Sequence, residues 1–211
     1  MIIQTFPSGP FETNTYVVAC PETNKAAIID PAPNSADAII AHLAENSFQP
    51  KMILITHSHW DHIGDTAQLK ARFQTPVYVH ALDVSNLQEP GSDGLPGGTR
   101  IEGVLPDKFL SEGDIINLGK VTFEVIHTPG HTPGGICIYC KEERILFSGD
   151  TLFKGSIGNL SLPTSDSKQM WASLAKLVEL PPETKVYPGH GSPTTIGEEP
   201  WLTRAKEIFG T

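Results

Sequence analysis

Short apolar runs rich in β-branched residues recur along the chain, and several are followed closely by glycine, proline or histidine. Branched and aromatic side chains favour extended backbone, and the residues after each run favour a turn, so each run predicts a strand that ends in a loop. The predicted strands are Thr15–Ala19, Ala26–Ile29, Lys51–Thr56, Val77–His80, Val121–Ile126, Gly135–Cys140, Arg144–Phe147 and Lys185–Tyr187.

Three other segments repeat apolar side chains every three or four residues, which is the period of a helix with one buried face. Ser35 stands before the first of them as a candidate N-cap. Strands outnumber helices, and helices occur in both halves, so we predict an α/β fold in which helices cover sheet layers, and not a TIM barrel. The apolar faces are Ala36, Ile40 and Leu43, then Thr66, Leu69 and Phe73, then Trp171, Leu174 and Val178.

No boundary divides the sequence into parts. Its 19 glycines and 18 prolines lie between the apolar runs instead of collecting in one linker, and no repeat of fixed period occurs. A length of 211 residues suits one hydrophobic core, so a single domain is predicted over residues 1–211. The stretch from Ser85 to Gly113, which includes Pro96, Gly97 and Gly98, fits either a lid over a binding site or a plain surface loop.

Charge and cysteine content restrict the partners and the compartment. Fifteen Lys and Arg against 24 Asp and Glu give a formal net charge of −9, which repels a phosphate backbone, so no nucleic-acid partner is expected. No apolar run is long enough to span a bilayer, so no membrane is expected. The first residues lack the basic and apolar regions of a secretion signal, so the expected location is cytoplasmic.

The three cysteines are expected to be reduced, because an odd number without a secretion signal argues against a disulfide framework. Cys20 is interpreted as a packing residue. Cys137 and Cys140 form a C-x-x-C, but they lie in a predicted strand, where residues three apart point to opposite faces. We therefore expect no redox or metal role for that pair.

The run 57–62, with the sequence HSHWDH, is the densest group of candidate metal ligands and directly follows a predicted strand. Residues two apart in extended chain project to the same side, so His57 and His59 can reach one ion. A turn after His59, before a helix expected from about Ile63, would aim Asp61 and His62 at a second ion beside the first. Three histidines and an aspartate at this spacing serve no evident packing purpose, so the run predicts a metal site.

Three later segments repeat one design, in which a strand runs into a glycine turn that carries a ligand-type residue. They are Thr128–His131, Ser148–Asp150 and Pro188–His190. The glycines permit unusual backbone angles and leave room around an ion, and ligands at strand ends can converge at one edge of a sheet. The other histidines near turns are interpreted as ordinary polar residues, namely His42, His80 and His127.

Together these motifs resemble those of the metallo-β-lactamase superfamily, whose H-x-H-x-D-H motif is matched by residues 57–62. Asp30, His131, Asp150 and His190 stand in segments that follow the order of the family's other motifs, and the resemblance covers nearly the whole chain. It implies a four-layer αββα sandwich, in which two mixed sheets lie between helical layers and the metal ions sit at one edge of the sheets.

The resemblance also implies the ligand sets and the chemistry. Two divalent ions per chain are expected, with zinc as the ion that the family implies, and iron and manganese suit the same His and Asp ligands. A hydroxide between the ions is the expected nucleophile, with Asp61 both as a ligand and as the residue that orients it. The implied sets are His57, His59 and His131 on one ion, Asp61, His62 and His190 on the other, Asp150 bridging both, and Asp30 supporting a ligand.

Residues 150–158 and 187–198 resemble the short glyoxalase II-like branch, whose members hydrolyse hydroxyacylglutathione thioesters. Asp150 in place of cysteine or serine, together with the absence of an export signal, argues against a true β-lactamase. A small-molecule thioester, with S-lactoylglutathione as the example, is therefore the expected substrate. Asn159 stands where close relatives usually have a basic residue, and Lys154 lies nearby, so both are candidate substrate-binding residues.

Other functions are compatible with the same residues. A persulfide dioxygenase would hold one iron with the equivalents of His57, His131 and Asp150. A hydrolase of another ester or of a lactone would use the whole ligand set, and a metal-binding module without catalysis is disfavoured because that set is complete. The sequence leaves the oligomeric state undetermined.

Overall fold

The structure is a computed structural model that describes residues 1–95 and 100–210, and within these ranges the chain forms two six-stranded mixed sheets. In the first sheet β1 to β3 are antiparallel and β3 to β6 are parallel. In the second, β7 to β10 are antiparallel, β11 is parallel to β10, and β12 is antiparallel to β11. The strands are β1 Ile2–Ser8, β2 Thr13–Ala19, β3 Lys25–Ile29, β4 Gln49–Leu54, β5 Val77–His80, β6 Lys108–Leu110, β7 Ile115–Leu118, β8 Val121–His127, β9 Ile136–Cys140, β10 Ile145–Gly149, β11 Lys185–Pro188 and β12 Thr194–Thr195.

Helices cover the outer face of each sheet. In the described ranges they are α1 Ala36–Glu45, α2 Trp60–Ile63, α3 Thr66–Phe73, α4 Val84–Gln88, α5 Ser167–Val178 and α6 Ala205–Phe209. The apolar faces of α1 and α3 pack on the first sheet, and those of α5 and α6 pack on the second. A third apolar cluster, which includes Phe123 and Phe147, fills the space between the sheets. The predicted four-layer αββα sandwich is therefore confirmed.

Strand β2 shows how the sequence produces these layers. All seven of its residues are buried, because both faces of the strand are covered. Tyr16 and Val18 point into the cluster between the sheets, whereas Val17 and Ala19 point towards the helices. The two cysteines of β9 behave in the same way, since Cys137 packs with α5 and Cys140 packs between the sheets. The prediction that they point to opposite faces is confirmed.

All eight predicted strands are present, with ends at most two residues from the predicted ones, and all three predicted helices are present. The four strands that were not predicted, β1, β6, β7 and β12, are the edges of the two sheets. An edge strand has a single partner and part of it faces solvent, so its apolar pattern is weaker. β1 even contains Pro7, which an edge tolerates because the missing N–H leaves no partner unpaired.

The stretch from Ser85 to Gly113 is not a plain loop, because its described part contains most of α4, two turns and β6. Its residues Pro96, Gly97 and Gly98 lie outside the described ranges. Within the described ranges, no helix combines the length and the apolar composition that crossing a bilayer requires.

Candidate metal centre

The seven predicted metal ligands lie together at one end of the two sheets. β4, β10 and β11 end one to three residues before His57, Asp150 and His190, and β8 ends four residues before His131. Because these strand ends meet at the same edge, loops that are far apart in sequence bring their side chains into one cluster.

His57, His59 and His131 form the first group. One ligand atom from each lies within 4.8 Å of the others, and all three side chains are buried. Their Nε2 atoms are buried without a hydrogen-bond partner among the described residues. A buried polar nitrogen without a partner is costly, and three of them in one place match the three-histidine face that binds a divalent ion.

Asp61, His62 and His190 form the second group, again with ligand atoms within 4.8 Å of one another. His190 Nε2 lies 3.3 Å from Asp61 Oδ2 and 3.3 Å from His62 Nε2. The side chain of His190 is 25% exposed, whereas those of Asp61 and His62 are buried. The second group therefore faces solvent through His190.

Asp150 lies between the two groups. Its Oδ2 is 3.3 Å from Nε2 of His131 in the first group and 3.5 Å from Nε2 of His190 in the second. Its Oδ1 is 3.3 Å from His62 Nε2 and is buried without an aligned hydrogen bond from the described residues. A carboxylate so placed can be shared by both groups, and the donor set of imidazoles and carboxylates fits divalent transition metals.

The segment after His59 differs from the prediction. The helix begins at Trp60 and not at about Ile63, so Asp61 and His62 are placed by the helical turn α2 itself. His62 N donates to His59 O at 2.9 Å, which closes this turn directly against the first group. The sequence interpretation expected an irregular turn here, because a four-residue helix is too short to show a period.

Asp30 supports the second group from the buried side. Its Oδ1 accepts the backbone N–H of Thr56 at 2.7 Å, and its Oδ2 accepts the Thr56 hydroxyl at 2.6 Å and lies 2.9 Å from His62 Nδ1. One ligand atom from each of Asp30, His57 and His62 also lies within 4.8 Å of the other two. Because both oxygens of Asp30 already have partners, the residue is placed to orient His62 and not to bind an ion.

Backbone carbonyls orient two further ligands. His131 Nδ1 lies 2.9 Å from the carbonyl of Asn159, and His190 Nδ1 lies 3.0 Å from the carbonyl of Phe11. A carbonyl only accepts, so Nδ1 carries the proton in each ring and Nε2 is directed at the centre. Asp61 Oδ2 accepts the hydroxyl of Thr13 at 2.9 Å, which fixes that carboxylate as well.

Asp83 joins the two loops of the first group, and the sequence analysis did not identify it. Its carboxylate accepts the N–H of Ser58 at 2.8 Å, the N–H of Gly134 at 2.6 Å and the hydroxyl of Thr132 at 3.0 Å. Ser58 lies between two ligands, and Thr132 follows His131, so Asp83 holds both loops in register. A single aspartate after a strand gives no sequence signal for this role.

The two groups differ in protonation when no ion is bound. Burial and the neighbouring histidines hold the pKa of His57 well below its usual value and lower that of His59 to about 3. Burial also disfavours protonation of His190, but the hydrogen bonds that its ring donates to the Asp150 and Asp61 carboxylates outweigh burial and raise its pKa to about 9. In the same way, Asp150 and Asp61 raise the pKa of buried His62 above its usual value. His57 and His59 are thus neutral and ready for a cation, whereas His62 and His190 hold protons.

A cavity of about 320 Å³ opens beside both groups. A larger groove of about 610 Å³ lies along α3 and residues 102–107, but it contains none of the ligands, so we assign the site to the smaller cavity. Lys154 is exposed in a turn between Phe153 and Ser156 and is not among the lining residues, whereas Asn159 is. The described lining residues are Phe11, His59, Trp60, Asp61, Leu95, His131, Asp150, Asn159, Leu162 and His190.

The three histidines that were not assigned to the site lie outside both groups. His80 and His127 stack on each other with ring centroids 4.0 Å apart, and His127 Nε2 lies 3.0 Å from the carbonyl of Pro133. His42 packs on Phe6 with ring centroids 5.4 Å apart. Their contacts agree with a packing role for all three.

Comparison with known proteins agrees with this geometry. The family model of the metallo-β-lactamase superfamily matches residues 8–190. Hydroxyacylglutathione hydrolase GloC of Haemophilus influenzae is 37% identical over 206 residues, which cover 94% of this chain and 95% of that protein. The crystal structure of BLEG-1 B3 metallo-β-lactamase has a TM-score of 0.88 and 38% identity, covering 96% of this chain and all of that one. That of TTHA1623 in a di-iron-bound form has a TM-score of 0.82 and 39% identity, covering 93% and 96%.

Proposed function

Because the chain belongs to the metallo-β-lactamase superfamily, we propose that it is a thioester hydrolase of the glyoxalase II type, which converts S-lactoylglutathione and water to lactate and glutathione. The observation that carries the proposal is the pair of ligand groups that share Asp150 beside one cavity. The likeness to GloC, a hydroxyacylglutathione hydrolase by name, supports the substrate class.

The proposed enzyme holds two divalent ions, which we assign as zinc. The first group with Asp150 would hold one ion, and the second group with Asp150 the other. The di-iron-bound form of TTHA1623 supports the count of two, and it makes iron the main alternative to zinc. Such ions, when bound, act as Lewis acids that lower the pKa of water and polarise a carbonyl.

The residues of the chain supply orientation and charge in this reaction. Burial raises the pKa of Asp61, but the nearby His62 and hydrogen bonds from His190 and Thr13 lower it to about 2. This carboxylate is therefore ionised at neutral pH and can accept a hydrogen bond from water in the cavity. Asp150 is ionised for a similar reason, because His62 and His190 lower its pKa despite its burial. Water adds its oxygen to the acyl carbon, the C–S bond breaks, and a proton passes to the departing thiolate.

The test is hydrolysis of S-D-lactoylglutathione by purified protein of measured metal content, with thiol release followed as the product. Thiol release that scales with bound metal, is lost on chelation and returns with Zn²⁺ supports the proposal. Oxygen uptake on glutathione persulfide by protein with a single iron, without thioester cleavage, would identify a dioxygenase. Cleavage of the β-lactam nitrocefin alone would identify a lactamase, and full metal loading without turnover would identify a binding module.

The two groups are expected to lose metal at different pH values. An ion that binds the second group must displace the protons that His62 and His190 carry below their raised pKa values, whereas His57 and His59 of the first group, whose pKa values are lowered, are already neutral. The pKa of His190 is about 9. As the pH falls below this value, the affinity of the second group for its ion should drop by about tenfold per pH unit for each proton that the ion displaces.

This expectation is checked by titrating metal-free protein with Zn²⁺ at several pH values. The same titrations in buffers of different ionisation enthalpy measure how many protons are released. Retention of one ion per chain at mildly acidic pH is the expected result. Loss of both ions in one step would show that Asp150 couples the groups too tightly for separate titration.

A further inference from the structure

We propose that the apolar wall of the cavity, formed by Phe11, Trp60, Leu95 and Leu162, selects a neutral, apolar thiol carrier, so that the enzyme does not depend on the charges of glutathione. This inference rests on the proposed thioester hydrolysis and changes only the preferred thiol carrier, so that S-lactoylglutathione is a slower substrate of the same reaction. For an acyl group as small as lactoyl, the thiol carrier is the larger part of the thioester and must lie against this wall.

Phe11 is the most informative member of the wall. It lies in the turn between β1 and β2 with 60% of its surface exposed, and its ring centroid is 5.3 Å from that of Trp60. Its carbonyl accepts the Nδ1 hydrogen of His190, so its backbone is fixed to a metal ligand while its ring remains free. The exposed surface of an aromatic pair beside a reactive centre binds an apolar group favourably, because that contact removes apolar surface from water.

Exposure alone would not support the inference, because other large apolar side chains are also exposed. Phe109 and Leu105 are 63% and 70% exposed, but neither lines this cavity. The wall differs from them because its four members, each partly exposed, meet around one opening that also contains the ligands.

The charged groups around the cavity also favour a neutral carrier. Among the described lining residues there is no lysine or arginine, and the ionisable groups are Asp61, Asp150 and the histidines of the centre. Glutathione carries two carboxylates and one ammonium at neutral pH. Its carboxylates therefore find no lysine or arginine to pair with among the described lining residues.

The test compares three lactoyl thioesters of alkyl thiols on the metal-loaded enzyme, so that the leaving groups have similar chemistry. The carriers are glutathione, N-acetylcysteamine and N-(phenylacetyl)cysteamine. We expect kcat/KM for the phenylacetyl carrier to exceed that for each of the others by about tenfold, since it covers the wall with a ring. In Phe11→Ala that preference should fall to about twofold or less, and Phe11→Tyr should keep most of it.

Phe109→Ala is the matched control, because it removes an equally exposed ring outside the cavity and should leave the preference unchanged. A tenfold preference for the glutathione thioester over both neutral ones would overturn the inference and leave the thioesterase proposal intact. Equal rates for the two neutral carriers would also overturn it. Failure to cleave any of the three by fully loaded protein would instead refute the proposed function.

Discussion

Asp150→Asn is expected to release metal from both ligand groups and to lower kcat/KM for thioester hydrolysis by about 10³-fold or more. The carboxylate lies within 3.5 Å of ligand nitrogens of both groups, so its loss removes negative charge from two neighbouring cation positions at once. An amide has the same shape but carries no charge, and it offers only one oxygen where the carboxylate offers two. Metal analysis of the purified variant, together with the thiol-release assay, measures both effects.

Asp37→Asn is the matched control, because Asp37 is an exposed carboxylate in the first turn of α1 and belongs to neither ligand group nor to the described cavity lining. It should keep the metal content and the rate of the unaltered protein. Circular dichroism of both variants separates loss of metal from loss of fold. If Asp150→Asn retained two ions per chain, the carboxylate would not be shared between the groups, and the assignment of the centre would be wrong.

The sequence predicted the interior of the fold and the cluster of candidate ligands for the same physical reason, which is that both are encoded in short segments. A strand covered on both faces is apolar over much of its length, as β2 is over residues 16–19. A metal site at strand ends places His57, His59, Asp61 and His62 within six residues. The edge strands were not predicted because a strand with one partner and partial exposure to solvent needs few apolar side chains. The short helix α2 was not predicted because four residues are too few to show the repeat of apolar positions that identifies a helix.

The supporting contacts escaped prediction because they join residues that are distant in the chain. Asp83 lies 25 residues from Ser58 and 51 residues from Gly134, and Phe11 lies 179 residues from His190. A lone aspartate or phenylalanine has no pattern of its own until the fold brings it to its partner. Asp30 was recognised only because the order of family motifs supplied the missing context, and the structure then gave its physical role through His62 and Thr56.

Substitution of a glycine beside the ligands is also expected to lower activity and metal content strongly. Gly189→Ala should lower kcat/KM by about 10²-fold and weaken metal retention, because a Cβ at this position would lie 2.2 Å from Asp150 Oδ1 and 2.7 Å from His62 Cε1. The backbone cannot move away easily, since Gly189 N donates to the carbonyl of Gly149 at 2.8 Å and its own carbonyl accepts from Asn14 N at 2.7 Å. The added methyl must therefore displace the shared carboxylate or the neighbouring ring.

Gly191→Ala provides the contrast two residues further on. Gly191 has a φ of +75°, but a Cβ there would meet no atom within 4 Å, so the substitution costs backbone strain of about 1 kcal/mol without touching a ligand. It should lower the Tm by about 2–4 °C while metal content and kcat/KM stay close to their original values. Metal analysis, rate measurement and thermal unfolding of both variants distinguish the effects. If Gly191→Ala lost metal as completely as Gly189→Ala, strain in the loop that carries His190 would explain both losses, and crowding of Asp150 would not.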